Sequence, residues 1–356
     1  MNPEEKLLIE LIKGKAKQNS YKNIDWNKFT DLCFYHKISQ FIYDKFDKSI
    51  VPKKTLDKFK EKNRQITIEN MILEKEAKGL FREFERKEIE YIAFKGIALN
   101  HWLYPESFSR QSSDIDFLIK EKEYKKAFES CKKKGFKGYA FNAWKKIPFK
   151  EKLFGRFYSN QQHFPLMEKN EKIRVVIEPH KKLFFPVNCF RINYEELWAD
   201  SVKINSIRIP GKEDSIIISV LSAVYQHAFY GIFEALIDVQ NMLKQKPDLK
   251  KLKEKTIKYN ITEPMIYFNE LTKEFFGTEI KELKGIKTNK NKMDYLRKKT
   301  ASLTKMPAKN PFFFDLQKMR VRLYFTENLM QKIKVIFFVL FVSGIWKTIN
   351  SVFRKE

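Results

Sequence analysis

The chain has 356 residues, 43% hydrophobic and 15% aromatic, with 70 Lys and Arg against 44 Asp and Glu and a net charge of +26. That length and apolar content support a sizeable core, exclude a disordered chain and lead us to expect two structural units. No uncharged apolar stretch approaches the roughly 20 residues of a spanning helix, and residues 1–6 carry acidic groups and no signal-peptide core, so a cytoplasmic location is expected.

Residues 1–88 read as helical. Leu7, Leu8, Leu11 and Ile12 recur at helical spacing ahead of Gly14, a plausible stop. Residues 29–46 are a second, aromatic-rich amphipathic piece. Residues 53–87 read as a long charged helix striped by Ile66, Ile68, Met71, Ile72, Leu80 and Phe84. The texture then changes. Residues 89–96 read as a strand ending in a glycine turn, with a short helix over 98–102. A second strand is expected over 116–119, and a helix over 121–134 closed by Gly135. A third strand is expected over 172–178 and a fourth over 202–209, ended by Pro210-Gly211. Apolar helices follow over 216–229 and 232–243, and the Lys-rich segment 245–310 reads as mostly helical. The expected organisation is an α/β core over 89–212 between helical regions at 1–88 and 213–330, with an apolar, basic terminal helix over 331–356.

Within that last segment, residues 335–346 are uncharged and flanked by Lys332, Lys334, Lys347 and Arg354. The run is short for a bilayer. It reads as a buried terminal helix, as an interfacial anchor with 333–349 in peripheral contact with anionic lipid at the inner face of the membrane, or, as the remaining alternative, as a true span. The charge admits an RNA, DNA or membrane partner. Only 12 of the 70 basic residues are Arg, however, and the lysines are spread along the chain, a mixture that an AT-biased genome produces by itself. Cys33, Cys131 and Cys189 are scattered, with neither zinc spacing nor a disulfide framework.

The chemistry concentrates around Asp114-Ile115-Asp116. In a strand, positions i and i+2 share a face, so Asp114 and Asp116 present four oxygens together while Ile115 and Phe117 pack on the other side. Converging carboxylates call for a cation, and Mg²⁺ suits one or two carboxylates plus substrate phosphates. Lys95-Gly96, at a strand end before a helix, suits a phosphate, because glycine lets backbone N–H groups approach and the helix N-terminus favours an anion. Arg110, with Ser112 and Ser113 before the aspartates, has the groups to clamp a phosphate oxygen. Glu178, at the end of the third strand, offers a third carboxylate. Each of these features alone is also an ordinary turn or strand-end residue.

Together they resemble the nucleotidyltransferase superfamily that includes polymerase β, and more closely its uncharacterised bacterial branch. The residues that carry the resemblance are Lys95-Gly96, Tyr104-Pro105, Arg110, Asp114-Ile115-Asp116-Phe117-Leu118-Ile119 and Glu178-Pro179-His180, with His163 before the third strand and His227 and Asp238 on later helices. The resemblance covers about 85–245. It departs at Ile97, where the superfamily has a serine, and at Pro179, where it has an aliphatic residue. The resemblance implies a polymerase-β-like core and transfer of an NMP from an NTP to an acceptor hydroxyl. It implies that Asp114, Asp116 and Glu178 are catalytic and hold Mg²⁺ or Mn²⁺. It implies further that Lys95, Gly96, Arg110, Ser112 and Ser113 bind the nucleotide and that His163 and His180 support the site or face the acceptor. Two other readings stay open: a catalytically inactive nucleotide-binding regulator, and a basic RNA-binding protein.

Overall fold

The computed structural model describes residues 2–104, 110–138, 167–170, 174–184, 189–300, 303, 311–326 and 329–337. The N-terminal region is helical, as expected. α1 (Pro3–Ile12) opens on a capping box in which the Asn2 side chain accepts from the Glu5 N–H and the Glu5 carboxylate accepts from the Asn2 N–H. The aromatic piece expected over 29–46 is two helices, α2 (Trp26–Tyr35) and α3 (Ser39–Lys45), because the chain turns at Lys37 with φ 56°. α4 (Lys53–Arg86) is 34 residues long.

The central sheet has the order β1-β2-β5-β4-β3, formed by β1 (Tyr91–Ala93), β2 (Asp114–Ile119), β3 (Lys137–Gly138), β4 (Met167–Asn170) and β5 (Arg174–His180). β2 and β5 are parallel and the other pairs are antiparallel. α5 (Gly96–Leu103) follows β1. A short 3₁₀ turn at Glu121–Glu123 leads into α6 (Tyr124–Lys133), and the turn after α6 passes through Gly135 at φ 89°. The fold is thus mixed α/β, with a small mixed sheet among helices, as the sequence led us to expect.

Two expectations need correction. The single strand expected over 202–209 is a hairpin, β6 (Val202–Ile204) and β7 (Ile207–Ile209), that folds back at Asn205 and Ser206, both at positive φ. The helix expected over 216–229 stops early. After α7 (Tyr194–Ala199), α8 (Lys212–Leu221) passes into a π-helical turn at Ser222–Gln226, and Ala228 and Phe229 then take φ 51° and 72° before α9 (Ile232–Lys244). The remaining helices are α10 (Leu249–Lys258), α11 (Thr262–Phe276), α12 (Lys290–Thr300), α13 (Pro311–Tyr324) and α14 (Leu329–Phe337).

Two buried clusters organise these elements. One lies on a single face of the sheet, where Ile115, Phe117, Ile119, Val175 and Ile177 meet Leu73, Ala77, Leu80, Phe81 and Phe84 of α4. The other unites the N-terminal helices with the C-terminal ones, through residues such as Leu7, Phe29, Phe59, Phe233 and Phe268. α4 contributes to both, so it ties the sheet to the helices. Lys255 of α10 is 1% exposed, and its ammonium donates to Asp200 at 2.6 Å and to Asp214 of α8 at 2.7 Å. A buried cation paired in this way fixes how α8 sits, and α8 leads into one wall of the site.

Cys33 and Cys131 are buried and Cys189 is half-buried. Among the described residues no helix is long and apolar enough to cross a membrane. The buried-helix, anchor and span readings of 335–346 concern a run that lies mostly outside the described residues.

Candidate active site

Parallel pairing of β2 with β5 sets Asp114 opposite Val176 and Asp116 opposite Glu178. The alternation of a strand does the rest. Ile115, Phe117, Val175 and Ile177 enter the core, and Asp114, Asp116, Glu178 and His180 share the opposite face. Among the described residues, ligand atoms of Asp116, Glu178 and His180 lie within 4.8 Å of one another. Asp114 stands two residues before Asp116 on the same face.

His180 is fully buried. Its Nε2 lies 2.7 Å from Asp116 Oδ1 and 3.9 Å from Glu178 Oε2, and its ring meets Phe94 edge-on with centroids 4.8 Å apart. Burial, reinforced by Lys95, lowers its proton affinity well below that of an ordinary histidine. The neutral ring has one N–H to give, and the contact from Nε2 to Asp116 at 2.7 Å outweighs that from Nδ1 to the Lys182 carbonyl at 3.4 Å. His180 therefore orients a carboxylate.

The carboxylates are held at an electrostatic cost. Burial, then the Asp116 charge, raises Asp114 to about 6, against Lys95 and Lys37. Burial, then Asp116 and Asp114, raises Glu178 to about 8, against Lys95. Clustered acids disfavour one another's charged forms unless positive charge is supplied.

Lys95 provides part of that charge. It caps α5 with φ 57° and ψ −140°, a conformation that disfavours a side chain and costs about 1–3 kcal/mol. Its ammonium donates to Gln226 Oε1 at 3.0 Å, so the π-helical turn brings forward the group that holds it. At Gly96 a Cβ would lie 3.0 Å from Ser112 Oγ and 3.2 Å from Ser112 Cβ. The start of α5 thus packs directly on the segment that enters β2. Gly96→Ala must push Ser112 aside. It is expected to cost about 1–3 kcal/mol of stability, which urea unfolding would check.

Two buried asparagines hold that segment. Asn70 of α4 donates to the Arg110 carbonyl at 2.8 Å and accepts from the Ser112 N–H at 3.2 Å. Asn100 of α5 also donates to the Arg110 carbonyl, donates to Ser112 Oγ at 3.0 Å and accepts from the Arg110 N–H at 3.2 Å. Neither has exposed surface. Ser112 is buried within this clamp, and the exposed Ser113 donates to Asp114.

Arg110 is placed differently from a free phosphate clamp. Its Nε donates to Asp238 at 2.7 Å, and its Nη2 lies 3.6 Å from Glu234. Tyr104 Oη donates to the other oxygen of Asp238 at 3.0 Å and accepts from Asn241 at 2.9 Å. Tyr104, Arg110 and Asp238, far apart in sequence, are therefore one network between the α/β core and α9. His227 is exposed and lines the same cleft, with no bond to Asp238. Beside this network lies an open cleft lined by Tyr35, Lys37, Lys95, Leu99, Arg110, Ser219, Ser222, Ala223, His227, Tyr230, Gly231, Glu234, Ala235 and Asp238. His163 lies outside the described residues.

A sequence profile of the family described as "Uncharacterised nucleotidyltransferase" matches residues 22–277. The chain belongs to that family. The match takes in the helical regions that supply Lys37 and Asn70 on one side and Gln226, Glu234 and Asp238 on the other. The family supports nucleotidyl transfer in general as the activity. No curated protein and no solved structure matches the chain.

Proposed function

We propose that this protein is a divalent-metal-dependent nucleotidyltransferase that moves an NMP from an NTP to an acceptor hydroxyl. The observation that carries the reading is the pairing of Asp116 with Glu178 across parallel strands, with Asp114 on the same face, so that three carboxylates crowd together and, among the described residues, Lys95 and Lys37 are the cations that act on them. The donor set fits Mg²⁺ or Mn²⁺, since carboxylate oxygens suit such hard ions and the raised proton affinities mark a site that lacks positive charge.

Asp114, Asp116 and Glu178 would hold the metal, with His180 fixing Asp116. When bound, the ion neutralises charge on the triphosphate and on the attacking and leaving oxygens. Lys95 and the backbone at Gly96 steady the phosphates at the start of α5, and Ser112 and Ser113 stand beside them. Lys37 adds a cation at the rim. Arg110 acts through its ion pairs, keeping α9 against the core. The acceptor oxygen attacks the α-phosphorus as the bond to the β-phosphate oxygen breaks; pyrophosphate leaves, and Glu178 is suited to receive the acceptor's proton.

The two departures from the family pattern leave the carboxylates untouched. Ile97 is fully buried in the core beneath the sheet, so its side chain replaces packing and not a phosphate contact. Pro179 stands opposite Phe117 in the parallel β2–β5 ladder, which continues past it to Leu118 and His180, so the proline does not end the pairing that sets Asp116 beside Glu178. Both facts weigh against the inactive-regulator reading.

Calorimetric titration of each NTP, with and without Mg²⁺, tests the proposal on wild type and on the Asp114→Asn/Asp116→Asn double variant. Mg²⁺-dependent binding to wild type alone is expected. Equal binding by both proteins would refute the site assignment, and salt-sensitive RNA binding without NTP binding would favour the RNA-binding reading.

A further inference from the structure

Three residues that line the cleft beside Lys95 and Arg110 carry buried polar atoms that, among the described residues, neither the fold nor the proposed phosphate contacts use. Ser222 is 6% exposed, and its Oγ has no hydrogen-bond partner among the described residues. Buried Glu234 Oε1 has none either, although the other carboxylate oxygen faces Arg110 at 3.6 Å. Tyr35 Oη is a third, and its ring meets Tyr230 edge-on with centroids 6.4 Å apart. All four residues line the same cleft. They come from α2, from the π-helical turn, from the loop before α9 and from α9 itself, so no local structure explains the coincidence. A buried polar atom without a partner costs about 1–3 kcal/mol. Three of them around one open cleft mark a surface built for a ligand that completes them.

The chemistry of the ligand follows from the set. Glu234 accepts hydrogen bonds, while the Ser222 and Tyr35 hydroxyls both donate and accept. An ammonium would satisfy Glu234, but it would then face Arg110 and Lys37, the charges that already act on that carboxylate. A neutral hydroxyl meets the same acceptor without this repulsion. The aromatic walls suit the apolar face of a ring. We propose that the floor of this cleft, at Ser222 and Glu234 with Tyr35, is a subsite for a polyhydroxylated ring. The ring is either the ribose of the nucleotide or a sugar-like acceptor; this choice of sources rests on the nucleotidyl-transfer reading, whereas the subsite itself does not.

The test is calorimetric binding in the presence of Mg²⁺. The ligands are each NTP, its 2′-deoxy and 3′-deoxy counterparts, and a panel of free hexoses and alditols, titrated into wild type, Ser222→Ala, Tyr35→Phe and Glu234→Gln. Ser222→Ala and Tyr35→Phe remove hydroxyls that bond nothing in the fold, so their Tm should equal or exceed that of wild type, a control that separates ligand effects from misfolding. If ribose is the source, a deoxynucleotide binds wild type about tenfold or more weaker than the NTP, and the gap closes in the variants. If an acceptor is the source, NTP and deoxy-NTP bind alike, while a hexose or alditol binds wild type and loses about tenfold in the variants. Hexose or alditol binding without any NTP binding would overturn the transferase reading and leave the subsite standing. The subsite is overturned if the variants bind every ligand as wild type does, or if no hydroxyl-bearing ligand binds at all.

Discussion

Glu178→Gln is expected to abolish transfer while making the metal-free protein more stable. The two effects have one cause. Glu178 is held at about 8 by burial and by Asp116 and Asp114, and its nearest basic group within the carboxylate cluster, His180 Nε2, is 3.9 Å away and neutral. The folded state keeps its proton over a pH range in which the unfolded chain, near 4.5, has released it. Folding stability is therefore fully present below about 4.5 and is lost as pH rises through about 8. Glutamine keeps the shape without the charge, so the variant should gain on the order of 2 kcal/mol over metal-free wild type at pH 8, and the gain should vanish near pH 4. Wild type should recover stability when Mg²⁺ is added, by about 2.7 kcal/mol at a hundredfold excess over Kd, while the variant should not respond. Turnover should fall on the order of a thousandfold with the loss of a metal-holding carboxylate. Urea unfolding at the two pH values, with and without Mg²⁺, checks the stability half, and pyrophosphate release checks the other. A variant less stable than wild type at pH 8 would mean that Glu178 is a structural group and not a strained functional one.

The parts of the site that strand chemistry fixes were legible in the sequence. Asp114, Asp116 and Glu178 follow from alternation in short apolar runs, and β2 and β5 bring them together as expected. What was hidden depends on polar residues placed on buried faces. The stripe expected along α4 included Ile68 and Met71, which are 40% and 54% exposed, while Asn70 and Glu74 are buried. Their burial has reasons that no helical periodicity encodes: Asn70 holds the Arg110–Ser112 segment, and Glu74 bonds His101 at 2.9 Å. The π-helical turn was invisible for the opposite reason. Residues 216–229 are apolar apart from Ser219, Ser222, Gln226 and His227, and none of these is a helix breaker, so the sequence reads as continuous helix. The hairpin at Asn205-Ser206 did carry a signal, because Asn tolerates the left-handed conformation such turns use, but the apolar alternation on either side concealed it. Lys37 lies in a region whose sequence carries no sign of chemistry. Only the packing of N-terminal helices on C-terminal ones brings it to the cleft.

The same hidden asparagines support the second large effect. Asn70→Ala and Asn100→Ala should each cost roughly 2–3 kcal/mol, since each leaves buried backbone groups of Arg110 or Ser112 unpaired. Because both donate to the Arg110 carbonyl, the losses should not add. Only the double variant leaves that carbonyl with neither donor, so it should be destabilised by more than the sum, with a coupling of about 0.5–3 kcal/mol in a double-mutant cycle. Activity should suffer more than stability implies. The clamped segment carries Arg110, Ser112 and Ser113 directly into Asp114, and it leaves no room for a Cβ at Gly96. A displacement of about 1 Å there would misplace the phosphate contacts and the first carboxylate together, at a cost on the order of a hundredfold in rate. The discriminating measurement is the rate well below the variants' unfolding transition, where both are fully folded. A rate equal to that of wild type would mean that the β2 aspartates hold their positions without the clamp. A hundredfold loss with Mg²⁺-dependent NTP binding retained would show that the clamp aligns the reacting groups after the nucleotide has bound.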